Sequence, residues 1–313
     1  MKYYLCIDGG TTNTRVSLVG NTEGMDTLRI SLGARAGIGG TEPLRQALKD
    51  AVSTLLDRFS LCEKDIVRIL ASGMITSEFG LCALPHLLAP AGIKELHDSM
   101  HETVLEDISP IPLVFIRGVK IVGESLFETD MMRGEETELY GLSDTLLPDC
   151  LYVLPGSHSK LIKTDTLGRI SHFSTMLTGE MIASLSGYTI LKDAVDLSIK
   201  ELDEQALTDG CGYALQRGLN EALFKVRILK NQFQKSALDC YSFFLGVVLA
   251  QEIQAILNDS SKEIVIGGKA QIKRATEILL RTFSDKRITV ADDRAVDRSS
   301  ALGAIRIFEY HPQ

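Results

Sequence analysis

Three short turns of glycine and small polar residues, each following an apolar run, carry the residue types of this chain that suit work on phosphates. The first is Asp8-Gly9-Gly10-Thr11-Thr12-Asn13, with Arg15 just beyond it. Its glycines can adopt positive φ and let backbone N–H groups approach an anion closely. Thr11, Thr12 and Asn13 add side-chain donors and Arg15 adds a cation. Asp8, at the strand end, suits a hydrated Mg²⁺ better than a phosphate. The second turn is Pro155-Gly156-Ser157-His158-Ser159-Lys160 and the third is Ile266-Gly267-Gly268-Lys269-Ala270. Gathered on one cleft, the first two would hold the β- and γ-phosphates, with Lys160 on an oxygen. Gly267 and Gly268 would leave room for adenine and ribose, where a side chain would clash. No GxxxxGK[ST] follows the first turn, so it is not a Walker loop.

Transfer of a phosphoryl group to an alcohol needs positive charge on the phosphate and a carboxylate that orients and deprotonates the hydroxyl. The run Asp130-Met131-Met132-Arg133-Gly134-Glu135-Glu136 supplies both, and reads as the first turn of a helix. Asp130, Glu135 and Glu136 are the candidate catalytic groups. Adjacent glutamates cannot share one helix face, so one is expected to point at the ligand and the other into solvent. Acids at a helix start also favour the positive end of its dipole without any catalytic role. Arg133 either holds a substrate carboxylate through both guanidinium arms or pairs with Glu135 or Glu136. Gly73 and Met74 follow the predicted strand 66–70, at the strand end where ligands bind in open α/β sheets. His86 lies in the apolar loop 84–92, read as a pocket wall, and Arg117 ends the strand 113–116. His158 contacts a phosphate or substrate oxygen, or is a hydrogen-bonded structural histidine. Glu180 reads first as a helix-start carboxylate and second as a metal or substrate group.

These residues must be positioned by an alternation of strands and helices. A hairpin, a helix over 42–59 and a strand over 66–70 open the chain, and a second strand–turn–strand at 150–163 echoes the first hairpin. Helical patterns run from 178 to about 258, followed by strand, helix over 271–283, strand and a last helix over 298–310. The fold class is therefore α/β. With 313 residues the chain can form two lobes with a core each, read as 1–140 and 141–313, the last helix crossing back to the first. His97 and His101 fall at i, i+4 on a predicted short helix, which is metal-ligand spacing, but with no third ligand nearby they read as a solvated face.

The net charge of −8 argues against nucleic-acid or anionic-membrane partners, and it makes the position of each cation informative. No stretch is read as a membrane span of about 20 apolar residues, and the direct entry into a strand is read as lacking a signal peptide. Six scattered cysteines without a CxxC pair fit a reduced, cytoplasmic protein.

Beyond these readings, the sequence resembles the 2-dehydro-3-deoxygalactonokinase family of the sugar kinase, Hsp70 and actin superfamily. The resemblance rests on Asp8–Asn13 with Arg15, Gly73-Met74, Pro85 with Pro90-Ala91, Met132–Thr137, Pro155–Lys160, Met176–Glu180 and Arg217–Leu219. The Met132–Thr137 and Pro155–Lys160 segments are the distinctive ones. The resemblance implies two ribonuclease H-like lobes around a nucleotide cleft. It implies ATP and Mg²⁺, with phosphate transfer to the C6 hydroxyl of 2-dehydro-3-deoxy-D-galactonate in galactonate breakdown. Gly9 stands where Trp is common, His86 where Tyr is expected, Leu161 where Trp is expected and Asp130 where some members carry Asn. These departures touch the pocket wall more than the phosphate turns. Small-molecule partners are thus a sugar acid and ATP, with a homodimer left open. The competing readings are a kinase for another sugar or sugar acid and a non-catalytic nucleotide-dependent regulator.

Overall fold

Both faces of the first strand are buried, which is why its sequence is an unbroken apolar run rather than an alternating one. In the computed structural model, which describes residues 2–20, 23–268 and 270–311, the chain divides into two compact units. The first comprises residues up to Pro148, 164–172 and 294 onward; the second comprises 149–163 and 173–293.

The first unit contains β1 (Tyr3–Gly9), β2 (Thr14–Gly20), β3 (Glu23–Ile30), α1 (Glu42–Arg58), β4 (Ile66–Gly73), β5 (Leu87–Leu88) and α2 (Ile93–Asp98). It continues with β6 (His101–Leu105), β7 (Ser109–Phe115), β8 (Val119–Ile121), β9 (Asp130–Met132) and α3 (Glu135–Leu142). Among the described residues its main sheet has the order β3-β2-β1-β4-β7-β6. β1 runs antiparallel to β2 and parallel to β4, and β4 runs parallel to β7. Leu44, Leu48, Ala51 and Leu55 of α1 recur at helical spacing and pack with Leu5, Ile7, Val16 and Leu18 of the sheet.

The second unit is built from β10 (Cys150–Leu154), β11 (Ser159–Thr164, its last residue counted with the first unit), β12 (Ile170–Met176, from Phe173 onward), α4 (Thr178–Tyr188), α5 (Glu204–Arg217), α6 (Leu219–Asn231), α7 (Ala237–Asn258), β13 (Glu263–Ile266), α8 (Ala270–Phe283) and β14 (Arg287–Val290). Its sheet order is β12-β11-β10-β13-β14. β10 is antiparallel to β11 and parallel to β13, which is parallel to β14. Each unit therefore repeats one plan: a hairpin, then two parallel strands on the far side of its first strand. Gly210 and Gly246 let α5 and α7 cross closely, since a Cβ on either would fall 2.1 or 2.0 Å from a carbonyl of the other helix. α7 has 22 residues and holds an 18-residue window of mean hydropathy 1.5, long and apolar enough to span a membrane, which corrects the sequence reading. Since 78% of that window is buried inside the protein, its composition is that of a core helix.

The last helix, α9 (Asp293–Phe308), starts five residues earlier than its sequence pattern suggested and belongs to the first unit from Arg294 onward. It meets α3 at two glycines: a Cβ on Gly141 would fall 1.8 Å from the Ser299 carbonyl, and one on Gly303 1.7 Å from that of Thr137. Arg306 then donates to the Tyr140 and Gly141 carbonyls at 2.7 and 3.0 Å, satisfying the C-terminal end of α3. The two histidines read as helical are split: His97 lies on α2 and bonds the Ile307 carbonyl at 2.8 Å, whereas His101 begins β6. Among the described residues no group of three metal-ligating side chains forms.

Candidate active site

The Asp8 turn is a tight β1–β2 connection whose ladder closes at Gly9 and Thr14. The Gly10 and Thr11 carbonyls accept from the Ala34 and Arg35 amides at 3.0 and 2.9 Å, so a neighbouring loop fixes the turn from behind. Thr11, Thr12 and Asn13 remain exposed at its tip. Asp8 and Arg15 face each other across the ladder, with Arg15 Nε donating to Asp8 Oδ2 at 3.0 Å. A cavity of about 280 Å³ opens beside this pair, lined also by Asp297 and Ser300 of α9. One ion-paired carboxylate cannot cage a metal alone. It fits a Mg²⁺ held mainly by nucleotide phosphates and water.

Glycine backbones converge next to this turn. Gly73, at φ +82°, pairs with Gly9, and a Cβ on it would fall 2.5 Å from the Gly9 carbonyl. Gly134, at φ +106°, would press its Cβ to 3.3 Å from the Gly73 Cα. The start of α3 is thereby set against the ends of β1 and β4, and this close approach excludes side chains at those positions.

The acidic run is not all helix. Asp130 to Met132 form β9, and α3 begins only at Glu135. Asp130 accepts from the Met131 amide at 2.6 Å at the edge of a three-stranded sheet, order β5-β8-β9. Glu136 is fully buried, which corrects the expectation that one glutamate faces solvent. Its Oε1 accepts from the Gly134 amide at 2.8 Å, while its Oε2 has no hydrogen-bond partner. Burial, reinforced by the neighbouring Glu135, pushes its carboxyl up to about 8. Glu135 is half-buried on the first turn of α3.

The small sheet gathers cations at one end. His86 precedes β5, Arg117 precedes β8 and Arg133 follows β9, which runs antiparallel to β8. Gly118 is wedged between them, since its Cβ would meet Arg133 Cγ at 2.6 Å and His86 Cδ2 at 3.0 Å. Arg133 donates to Thr76 Oγ1 and the Leu84 carbonyl, both at 2.8 Å, with His86 Nδ1 at 3.4 Å. Of the two neighbouring glutamates, Glu136 acts on the Arg133 charge electrostatically. Burial and the nearby Arg133 and Lys120 charges hold the His86 imidazole down at about 4, so it is neutral at physiological pH. The buried Nε of Arg117 and Nε2 of His86 lack hydrogen-bond partners. Thr76 escaped the sequence reading; only its place in the strand-end segment beyond Gly73 pointed to it. Met74 occupies that segment, its carbonyl accepting from Ser77 Oγ at 2.7 Å.

In the second unit two of the glycine turns come together. Gly268, at φ +74°, lies so close to Pro155 that a Cβ would fall 2.3 Å from its carbonyl. The Gly267 amide donates to the Val153 carbonyl at 2.9 Å. Lys269 lies outside the described residues. The Gly179 amide donates to the Gly156 and Ser157 carbonyls, both at 3.1 Å, tying the start of α4 to the turn. Gly156 itself opens outward: its Cβ would meet only the His158 carbonyl, at 3.8 Å. His158 Nε2, on this turn, and Glu180 Oε1, on the first turn of α4, lie 2.9 Å apart. Lys160 is 4% exposed and paired with Leu154 in the ladder, so it is not a surface lysine.

Paired hairpin-plus-parallel-strand sheets with glycine turns at their strand ends define the architecture of the sugar kinases and actin-like ATPases. Within that class the chain belongs to the 2-keto-3-deoxy-galactonokinase family, whose model matches residues 8–301. The *Escherichia coli* (strain K12) 2-dehydro-3-deoxygalactonokinase is 28% identical over 229 residues, 72% of this chain and 70% of that one. A solved *Sinorhizobium meliloti* structure, described provisionally as a 2-dehydro-3-deoxygalactonokinase protein, superposes with a TM-score of 0.78 at 22% identity. It covers 98% of this chain and 100% of its own. The activator of a 2-hydroxyisocaproyl-CoA dehydratase from *Clostridium difficile*, solved with bound ADPNP, shares the fold at a TM-score of 0.51 and 14% identity, covering 97% of this chain and 93% of that one. The chain is thus a sugar-acid kinase, a phosphotransferase with an alcohol group as acceptor and ATP as donor.

Proposed function

We propose that the chain phosphorylates the C6 hydroxyl of 2-dehydro-3-deoxy-D-galactonate in galactonate breakdown. The observation that carries this reading is the Arg133 guanidinium, fixed by Thr76 and the Leu84 carbonyl beside a neutral His86 that also feels the Lys120 charge, in a chain of net charge −8. Positive charge at this place suits an anionic ligand, and Arg133, braced by Thr76 and the Leu84 carbonyl, is preorganised for a carboxylate. His86, held neutral, adds a hydrogen bond to a substrate oxygen rather than a charge. Gly73 and Met74 line the same region.

Glu135 acts on the acceptor hydroxyl as the base, because Glu136 is buried and protonated at neutral pH; Asp130 is the second candidate. Thr11, Thr12, Asn13 and Gly10 on one turn, and Gly156, Ser157 and Lys160 on another, take the phosphates. Gly267 and Gly268 take the adenosine. Mg²⁺ supplies charge neutralisation on the phosphates, and Asp8 would hold it through water. Six cysteines, all unpaired, support a cytoplasmic setting.

The substrate reading is tested by Arg133→Ala. Loss of a charge-assisted contact of about 1.5–3 kcal/mol raises KM for the sugar acid roughly 10- to 100-fold and leaves KM for ATP near its original value. An unchanged sugar-acid KM would overturn the assignment.

A further inference from the structure

α7 is apolar along nearly its whole length, yet it carries one fully buried acid. Glu252 is 1% exposed among Leu249, Ile253 and Ile256. Its Oε2 accepts from Thr178 Oγ1 at 2.7 Å and Oε1 has no partner, while the Ser159 hydroxyl is near enough to stabilise the charged carboxylate. Burying such a group unpaired is expensive, and an apolar side chain of similar volume would pack as well or better. The core therefore gains nothing from a carboxyl at this position. The contacts point to the turn in front of it. Ser159 is the last turn residue before Lys160, and its Oγ accepts from the Gly156 amide at 3.3 Å. Thr178 opens α4, and the next residue, Gly179, donates to the Gly156 and Ser157 carbonyls. One carboxyl group thus reaches the turn from both flanks, through a strand and through a helix.

We propose that Glu252 is a positioning residue of the phosphoryl-donor site: its buried carboxyl group holds Ser159 and Thr178, and through them sets the backbone of Pro155–Ser159 for nucleotide phosphates. The inference rests on the reading of that turn as a phosphate cradle. With Ser159 Oγ accepting from Gly156, its proton is available to the carboxyl group, so the chain of bonds Gly156–Ser159–Glu252–Thr178 is consistent in donor and acceptor at every link.

The test measures the Kd of a non-hydrolysable ATP analogue by calorimetry on the full chain, with Tm recorded for each variant. Glu252→Leu should weaken nucleotide binding about tenfold or more, as expected for losing a hydrogen-bonded buried network. Its Tm should be equal or higher. Glu252→Gln, which keeps an acceptor for both hydroxyls, should restore Kd to within about threefold of the original. Unchanged Kd in Glu252→Leu, or a weakened Kd that Gln does not restore, would overturn the proposal. If Glu252→Leu does not fold, Ser159→Ala combined with Thr178→Val carries the test, and an unchanged Kd there overturns it equally. Lys160→Ala separates the two layers. If it leaves Kd unchanged, the turn is not the cradle; if it weakens Kd while the Glu252 variants do not, only the positioning role fails.

Discussion

Glu135 and Glu136 are adjacent in sequence and chemically alike, yet the fold leaves the first half-buried and the second fully buried. Glu136 is fully buried at the α3 start, where one of its oxygens accepts from the Gly134 amide. Its ordinary value near 4.5 rises to about 8, so between those limits the folded chain retains a proton that the unfolded chain releases. Stability must then fall as pH rises through this window. Glu136→Gln cannot ionise, so its Tm relative to the original should climb steadily from pH 5 to pH 8, and parallel Tm profiles would reject the buried-acid reading. Glu135→Gln should instead leave Tm nearly unchanged and lower kcat roughly 10²- to 10⁴-fold, as for loss of a general base. The sequence made both carboxylates visible as candidates but could not rank them. Helical spacing says that they point apart; it does not say that one of the two directions leads into the core.

Turns behave differently from side chains, because their residue types report backbone demands directly. Gly268 needs positive φ and touches Pro155, so Gly268→Ala should both destabilise the chain, by about 1–3 kcal/mol, and weaken ATP binding. Gly156 has open space where its Cβ would project. Gly156→Ala should therefore keep the original Tm while raising KM for ATP; a Tm loss matching that of Gly268→Ala would show that the turn is merely structural. The strand–turn–strand elements were legible for the same reason, as two apolar runs flanking small residues. β8 and β9 were not: each has only three residues, too few for an alternating pattern, and β9 reads into the acidic run as if helical. Arg117 and His86 were legible as types, but their gathering with Arg133 depends on those short strands.

At the scale of the molecule, the repeat of one sheet plan in both units was foreshadowed by the echo between the 3–19 and 150–163 stretches. The positions of the helices α1 and α8 followed from their spacing. The sequence already read the last helix as crossing back to the first lobe, but spacing gave no sign that residues 164–172 belong with the first unit, and it could not name the contacts that hold α9 there. Tertiary packing at Gly141 and Gly303 makes that choice, through contacts more than 150 residues apart. Glu252 illustrates the same limit in reverse, since a lone acid in an apolar helix is visible in sequence while its partners are not. The family sets the reaction class, and the proposal adds that Arg133 receives the acceptor's carboxylate. The most direct measurement is ATP turnover in a coupled assay, run separately with 2-keto-3-deoxy-galactonate, its gluconate epimer and neutral hexoses. The account predicts fast turnover with the galactonate-derived acid, slower turnover with the epimer and none above background with the hexoses. Background turnover with both acids, or equal turnover with a neutral hexose, would contradict it.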